Sequence, residues 1–589
     1  DVAMTVLPNA PIDLTTGLPV PTIAVATAGG VSVIKDDGTV VDITVNNASY
    51  TIARRVNFLS DNSLGMGIGV ANGVAQESYY VFNNIPTTDN VITVDNIAGT
   101  VQNVDEFYAI QPPNGLVNLQ LLGLDTNRAL RSSTGNSFAS DNGVSVISRN
   151  VADPDKGLIS YIASDYNTGW MNGDIKLATL SDTDTTNVTG AELVPNGDFA
   201  SGTTSWSAFN GQTTISESSG QLTIASSGSD YGVATCALSS GLVEGKKYTF
   251  SFNLISMGGT TVYYTRIGTA ASGSGNAPTT DLVTTGGITA TGRHSVTFTA
   301  TATQALATHL VVGSRNDGTS QVFDNISVRL AEEDRSYNNN GLQVFGTVTK
   351  TAVATGADLV RYVFGSNIYL KATTTVPTGT SDACYMWWSV DTAGDMSQFY
   401  LGDPSADGYA PTNGINVWAY GPGMKYRYGA SQFDATAASH GFGVGQWTHH
   451  CMMSRNGLLE VYINGKFVHR AAGAHNGITA TDLYVGKGHY NNDHSDGMAL
   501  LRISATVPTE EQIKKIYNDE KHLFTTNAKA TLYGTSDAVT ALAYDDDTEL
   551  LHAGTSAGRS VFQGLNRVDN TTDAVGVDIS ASNGLVAED

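Results

Sequence analysis

Short runs in which apolar and polar residues alternate dominate this chain. Between Pro21 and Thr44 it reads PTIAVATAGGVSVIKDDGTVVDIT, three runs (TIAVAT, GVSVIK, VVDIT) parted by AGG and DDGT. Alternation sends successive side chains to opposite faces of a strand, and Gly with Asp and Thr supplies tight turns, so the stretch predicts an antiparallel meander. In KYTFSFNLIS, Tyr248, Phe250, Phe252 and Leu254 share one face, and in HSVTFTA Val296 and Phe298 do likewise. Leu459, Val461 and Ile463 alternate with Glu460, Tyr462 and Asn464. Asn456-Gly457 and Asn464-Gly465 flank that run, and each pair suits a two-residue type I′ hairpin. VPTEEQIKKIYNDE has helical spacing instead. Pro508 leads in, Thr509 is the N-cap, Gln512 completes a capping box, and Ile513, Ile516 and Tyr517 form the apolar stripe.

One strand phrase recurs. GVSVI stands at Gly30–Ile34 and again at Gly143–Ile147, and GRSVF stands at Gly558–Phe562. The first two copies begin 113 residues apart, room for two or three units of about 40 residues, the period of propeller blades. A propeller closes by making its chain ends neighbours, which removes open sheet edges. The fold class expected is therefore all-β, a propeller-like base split by two inserted β-sandwich domains. Residues 1–187 form the first part of the base and 526–589 close it by pairing with those strands. Residues 188–332 and 333–525 are the inserts.

Composition narrows the function. At about 150 residues per domain, 589 residues predict about four domains. The net charge of −24 argues against nucleic acid, because phosphate contacts need clustered Lys and Arg. No run of 18 apolar residues occurs, so no membrane insertion is expected. Cys236, Cys384 and Cys451 cannot form a full set of pairs and match no zinc spacing. Cys384 and Cys451 could pair, but buried thiols are the expectation.

ELVPNGDFASGTTSW (Glu192–Trp206) and QVFDNISVRL (Gln321–Leu330) resemble the opening and closing segments of jelly-roll carbohydrate-binding modules, N-G-D/N-F-E and D-N-V/I-x-V. The chain departs at Ala200, where many relatives carry Glu. GQWTHHCMMSRNGLLEVYINGKFVHR (Gly445–Arg470) resembles laminin-G and concanavalin-like lectin sandwiches, in which a closing helix is common. NNNGLQVFGTVTKTAVATGADLVRY and AVTALAYDDDTELLHAGTSAGRSVFQGLNRVDNTTDAVG resemble segments of structural, tail-fibre-type proteins of tailed bacteriophages, marine ones especially. That resemblance implies a virion protein on the phage tail or particle surface, made in the bacterial cytoplasm. The lack of a visible signal peptide and the few cysteines fit it.

Catalytic patterns are missing. Glycosidases need two carboxylates flanking the bond, yet Glu460 stands alone on its strand. ASDNGVSV lacks the Trp of a sialidase box, and neither a G-x-S-x-G elbow nor H-E-x-x-H is present. His449 and His450 point to opposite faces of a strand and cannot chelate one ion; His449 is expected to pack near Trp447. No cofactor is required, with structural calcium as an option. The jelly-roll resemblance implies Asp198 and Asp324 as calcium ligands, and the acidic loop Tyr490–Gly497 adds Asp493 and Asp496.

Sugar binding needs exposed aromatic faces beside planar polar groups. The first insert offers Trp206, Tyr231, Tyr263, Tyr264 and Arg315. The second offers Trp418, Tyr420, Tyr426 and Tyr428 in NVWAYGPGMKYRYG, where glycines and a proline argue for an exposed loop. Trp387 and Trp388 read as core. Together these features predict a non-enzymatic virion adhesin, a tail fibre or tail-associated protein, that binds host-surface glycans. The alternatives are a purely structural virion decoration protein and a secreted glycan-binding accessory protein. The partners expected are host cell-surface polysaccharide, other virion tail proteins and further copies of the chain in a homo-oligomer such as a trimer.

Overall fold

The computed structural model describes residues 2–46, 52–58, 62–69, 77–94, 101–103, 106–110, 119–120, 135–140, 143–148, 157–209, 211–227, 232–259, 261–262, 264–268, 281–284, 287–314, 320–336, 338–373, 376–390, 396–404, 407–408, 411–421, 423–436, 440, 443–489, 495–545, 547–576 and 579–588.

Each copy of the repeated phrase is the third strand of its own antiparallel meander. Val2–Thr5, Thr22–Thr27, Gly30–Ile34 and Val40–Val45 pair in order. So do Leu119–Gln120, Gly135–Ser140, Gly143–Ser148 and Leu158–Ile162. Val539–Asp545, Leu550–Thr555, Gly558–Gln563 and Asn566–Asn570 make a third such sheet. Gly30, Gly143 and Gly558 have φ of +134°, +128° and +141°. A Cβ there would come within 2.2, 2.3 and 2.2 Å of the carbonyl oxygens of Ile43, Ile162 and Thr571. Backbone conformation and close approach both require glycine. The turn before it repeats as well. Thr27 Oγ1 donates to Gly30 O at 3.0 Å, as Thr555 Oγ1 does to Gly558 O at 3.1 Å.

Ile52–Phe58, Leu64–Gly69, Glu77–Phe82 and Glu106–Ile110 form a further four-stranded sheet. It shares a core with the first meander through Val33, Ile43, Leu64, Met66 and Phe82. The C-terminal sheet differs from expectation. Among the described residues none of its strands pairs with a strand of residues 1–187. It packs instead, with Leu532, Leu551 and Phe562 sharing a core with Val146 and Ile162. Asn167 Nδ2 donates to Ala530 O at 2.8 Å and Leu565 O at 3.1 Å. Contact therefore runs through faces and side chains rather than through a shared backbone ladder. Among the described residues strand pairing does not close these sheets into a propeller ring; the near-closed run of paired strands lies in the middle of the chain.

The first part of that middle is a jelly roll. One sheet pairs Thr213–Ser218, Gln221–Ser226, Ser320–Glu332, Lys247–Met257 and Gly292–Thr299. The other pairs Trp206–Ala208, Gly232–Ala237, His309–Ser314, Tyr264–Gly268 and Asp281–Thr284. Tyr248, Phe250, Phe252 and Leu254 fill the space between them, as their alternation predicts.

The second part is a larger sandwich. Tyr369–Thr373, Asp482–Val485, Met396–Leu401, Ile415–Tyr420, Gly423–Tyr428 and Ser431–Thr436 form one sheet. Val360–Phe364, Ser495–Ser504, Ala383–Ser389, Thr448–Arg455, Leu458–Ile463 and Lys466–Arg470 form the other. Leu342–Ala352 serves both, pairing with Tyr369–Thr373 at its start and with Val360–Phe364 at its end. Ile175–Thr179 pairs with Ser495–Ser504, so a strand preceding the jelly roll in sequence completes the sandwich. Leu459, Val461 and Ile463 point into its core. The Asn-Gly hairpins have the left-handed φ values expected, 52° and 75° at Asn456-Gly457, 50° and 74° at Asn464-Gly465. The helix Glu510–Glu520 carries its capping box, with Gln512 N donating to Thr509 Oγ1 at 3.2 Å and Thr509 N to Gln512 Oε1 at 2.9 Å.

Candidate functional site: the cleft between jelly roll and sandwich

The jelly roll and the sandwich meet along a continuous backbone ladder. The end of Ser320–Glu332 pairs with the start of Leu342–Ala352, Ala331 opposite Gln343 and Glu332 opposite Leu342. Alternation then fixes what faces the junction. Val344, Leu370, Leu483 and Val485 point into the sandwich core. Gln343, Phe345, Tyr369, Lys371, Asp482 and Tyr484 take the opposite face. On the jelly-roll side the two motifs NGDF and DNIS come together. Ile326 N donates to Gly197 O at 2.9 Å, and a Cβ on Gly197 would lie 1.9 Å from Ile326 O. Between the two sides is a cavity of about 390 Å³, lined among others by Glu192, Arg293, Arg329, Phe345, Tyr369, Lys371 and Tyr484.

Cations and rings interleave across this cleft. The Phe345 and Tyr369 rings stack at 4.5 Å and 8°. The Arg329 guanidinium lies 4.1 Å from the Phe345 ring centre and Lys487 Nζ 4.4 Å from that of Tyr369. Each ring has one face against the other ring, so each cation takes the remaining face. Tyr484 is 5.9 Å from Tyr369, with Lys371 Nζ 4.8 Å from its ring centre. Ring edges and cationic heads, rather than open ring faces, are therefore what a ligand meets.

The carboxylates are committed unevenly. Glu192 Oε1 accepts from Val194 N at 3.0 Å and Val328 N at 2.9 Å, while its Oε2 takes Ser327 Oγ at 2.8 Å and pairs with Arg329 Nε at 2.9 Å. Asp482 answers two cations, Lys371 at 2.9 Å and Arg293 at 3.8 Å. Burial, and then the neighbouring Arg293, hold the Lys371 ammonium below its usual pKa despite Asp482. Burial pushes the Tyr484 phenol up, helped by Asp482 and Asp403. Past Tyr484 a second cavity of about 560 Å³ is lined by Asp403, Asp407, Asn413, Thr479 and Asp482, and shares Tyr484 with the first.

The residues picked from sequence lie elsewhere. Tyr426 and Tyr428 belong to the sandwich core and are out of a ligand's reach. Their strand alternates Met424, Tyr426 and Tyr428 inward, and the expected loop is only a hairpin tip. Trp418 faces outward but is buried, with Lys425 5.8 Å and Arg427 5.1 Å from its ring centre. Tyr420 is exposed at that tip, with Lys425 Nζ 4.1 Å from its ring. Trp206 is buried in the jelly-roll core, 5.4 Å from Phe199, with its Nε1 donating to Asn196 O. Tyr264 opens the strand Tyr264–Gly268, and its side chain, like Tyr231, Tyr263, Arg315 and Asp493, lies outside the described residues.

Asp198 borders the cleft, and its charge, after burial, helps raise the Asp324 carboxyl. Asp496 stands on Ser495–Ser504. Among the described residues no three His, Cys, Asp or Glu side chains gather as a metal cage. His449 and His450 do take opposite faces. His450 stacks on Trp387 at 4.9 Å, and its ring nitrogens meet Tyr426 OH at 2.8 Å and Ser389 Oγ at 3.2 Å. His449 packs on Trp388, and the Nε1 of Trp447 donates to Val353 O. Ser389, His450 and Tyr426 lie together inside the sandwich, a buried polar chain without access for substrate. Cys384 and Cys451 are free thiols, their sulfurs 3.6 Å apart.

Comparison with known proteins agrees with both sandwiches. Residues 364–514 match the family model of the concanavalin A-like lectin/glucanases superfamily, and residues 191–314 match that of a carbohydrate binding domain. The chain thus carries a lectin-like domain and a carbohydrate-binding domain, which together point to glycan binding and fit binding without catalysis. Among curated protein sequences nothing matches. Among solved structures, domain 4 of AbnA, a GH43 extracellular arabinanase from Geobacillus stearothermophilus, is 17% identical over 29% of this chain and 82% of that one, with a TM-score of 0.24. The binding domain of Paraclostridial Mosquitocidal Protein 1 is 14% identical over 39% of this chain and 62% of that one, with a TM-score of 0.26. The binding domain of Botulinum neurotoxin DC is 12% identical over 41% and 60%, with a TM-score of 0.24.

Proposed function

We propose that the protein is a non-enzymatic virion adhesin, a tail fibre or tail-associated protein, that holds host-surface glycan in the cleft between its jelly roll and its lectin-like sandwich. One observation carries this reading: the two carbohydrate-type domains jointly wall a cavity of about 390 Å³, within the size range of small-molecule sites. Arg293 and Arg329 come from one domain, Tyr369, Lys371 and Tyr484 from the other. In this reading the sheets at the two ends of the chain are blades of a propeller-like base that joins other tail proteins. Trimeric copies would raise avidity by about 10²–10⁴ over a single weak site. A structural calcium ion beside Asp198 and Asp324 would need backbone carbonyls and water to complete its shell.

The test pairs binding with location. Full-length protein should bind oligosaccharides released from host-surface polysaccharide, and Tyr369→Ala with Tyr484→Ala should weaken binding by about tenfold or more, ~1.4 kcal/mol per decade. Antibody to the chain should label purified phage particles. Full binding by the double variant would remove the cleft from the account, and absence from particles would remove the virion role.

A further inference from the structure

Arg293 is poorly satisfied in the cleft. Its Nε is buried and has no hydrogen-bond partner among the described residues. Among the described residues its two terminal nitrogens make only long contacts, 3.5 Å to Ser251 Oγ and 3.8 Å to Asp482. A guanidinium presents a planar fork of donors that matches an anionic group with two oxygens. Lys371 leans on the same Asp482, so two cations share one carboxylate. Glu192 cannot make up the difference, because its oxygens already take two backbone N–H groups, Ser327 and Arg329. Lys487, above Tyr369, pairs with no carboxylate among the described residues. On a chain of net charge −24 this is a local surplus of positive charge. The adjoining cavity has the opposite sign, with Asp403 and Asp407 beyond Tyr484.

We propose that Arg293 and Lys371 form an anion subsite, so that the cleft takes an acidic glycan, its anionic substituent between these two side chains and a neutral sugar unit past Tyr484 toward Asp403 and Asp407. This rests on the glycan-binding reading and adds the ligand's charge and its direction. An anion there fills the open donors of Arg293 and relieves the repulsion between Arg293 and Lys371. A second anion is disfavoured by the carboxylates at the other end.

Calorimetric titration of the full chain tests it with three probes: a uronic-acid-containing oligosaccharide, the same oligosaccharide with its carboxyls reduced to alcohols, and a sulfated derivative of the reduced form. The acidic probe should bind about tenfold or more tightly than the reduced one, the scale of a charge-assisted hydrogen bond pair. Arg293→Gln should bring the affinity of the acidic probe down to that of the reduced one. Raising salt should weaken the acidic and sulfated probes and leave the reduced one unchanged, which keeps the test valid if Arg293→Gln does not fold. Stronger binding of the sulfated probe would support the subsite and assign the anion to sulfate. Equal binding of acidic and reduced probes, with both lost in Tyr484→Ala, would overturn the subsite and leave the glycan reading standing. Binding of none of the probes at any salt, with host polysaccharide also unbound, would overturn both.

Discussion

Arg502 and Glu520 meet inside the protein, with Arg502 Nη2 2.9 Å from Glu520 Oε2 and a second contact from Nη1 to Oε1. Their side chains are 1% and 0% exposed. Glu520 ends the closing helix and also accepts from Trp170 N at 2.8 Å and Trp388 Nε1 at 2.7 Å. Arg502 Nη1 returns a bond to Trp170 O at 2.7 Å. The pair thus ties the helix, the sandwich and the segment leaving the meander that ends at Leu158–Ile162 to one point. Removing one partner leaves the other charge buried and unpaired, so Glu520→Gln should cost about 3–5 kcal/mol in denaturant unfolding. Arg502→Met with Glu520→Gln should cost less than Glu520→Gln alone. A single variant of wild-type stability would show that the pair is not a structural lock.

The repeated glycines predict a second stability effect. Gly143→Ala and Gly558→Ala each place a methyl about 2 Å from a carbonyl oxygen at positive φ, where relief needs backbone movement. Each should lower stability by about 1–3 kcal/mol. Gly211, with open space around its Cβ position, serves as control and should tolerate Ala. Melting temperatures of the three variants decide it.

Acid should destabilise the fold through buried histidines. Burial lowers the His450 pKa to about 3 and holds His449 well below 6.5. Burial lowers His552 to about 4, helped by Arg559. A histidine held neutral when folded takes up its proton only on unfolding. Stability is therefore full above pH 6.5 and falls as pH drops toward these values. Between pH 6.5 and pH 5 the loss should be about 2 kcal/mol for His450 alone. Melting temperature measured across that interval should fall steadily; a flat profile would mean these rings are charged or hydrated in the fold.

The hairpin once expected to bind sugar should prove structural. Trp418→Ala should cost about 3 kcal/mol or more by leaving a cavity, whereas Tyr420→Ala should stay within about 0.5 kcal/mol of wild type. Neither should change glycan affinity in folded protein. Loss of affinity in Tyr420→Ala would return recognition to the hairpin tip.

Local rules were legible in the chain, and long-range assembly was not. The Thr509–Gln512 capping box, the Asn-Gly hairpins and the inward set Leu459, Val461 and Ile463 depend on neighbours within a few residues, and they stand where spacing put them. Tyr426 and Tyr428 were misplaced because glycine and proline marked a turn without saying how short it was. Phe345, Tyr369, Lys371 and Tyr484 were missed for a different reason. Each sits on the polar face of an ordinary alternating strand. Only the pairing of Ala331 with Gln343 brings the jelly roll over that face, and such a pairing leaves no local signal. The buried Glu520 was likewise invisible as the partner of Arg502, though helix and strand were each readable.

The measurement that tests the central claim most directly is a crystal structure of the full chain with an acidic oligosaccharide from host-surface polysaccharide. The account predicts sugar density in the cleft between Arg293 and Tyr484, with the anionic group on the Arg293 guanidinium. Density over Tyr420 or elsewhere on the two sandwiches, with the cleft holding only water, would contradict it.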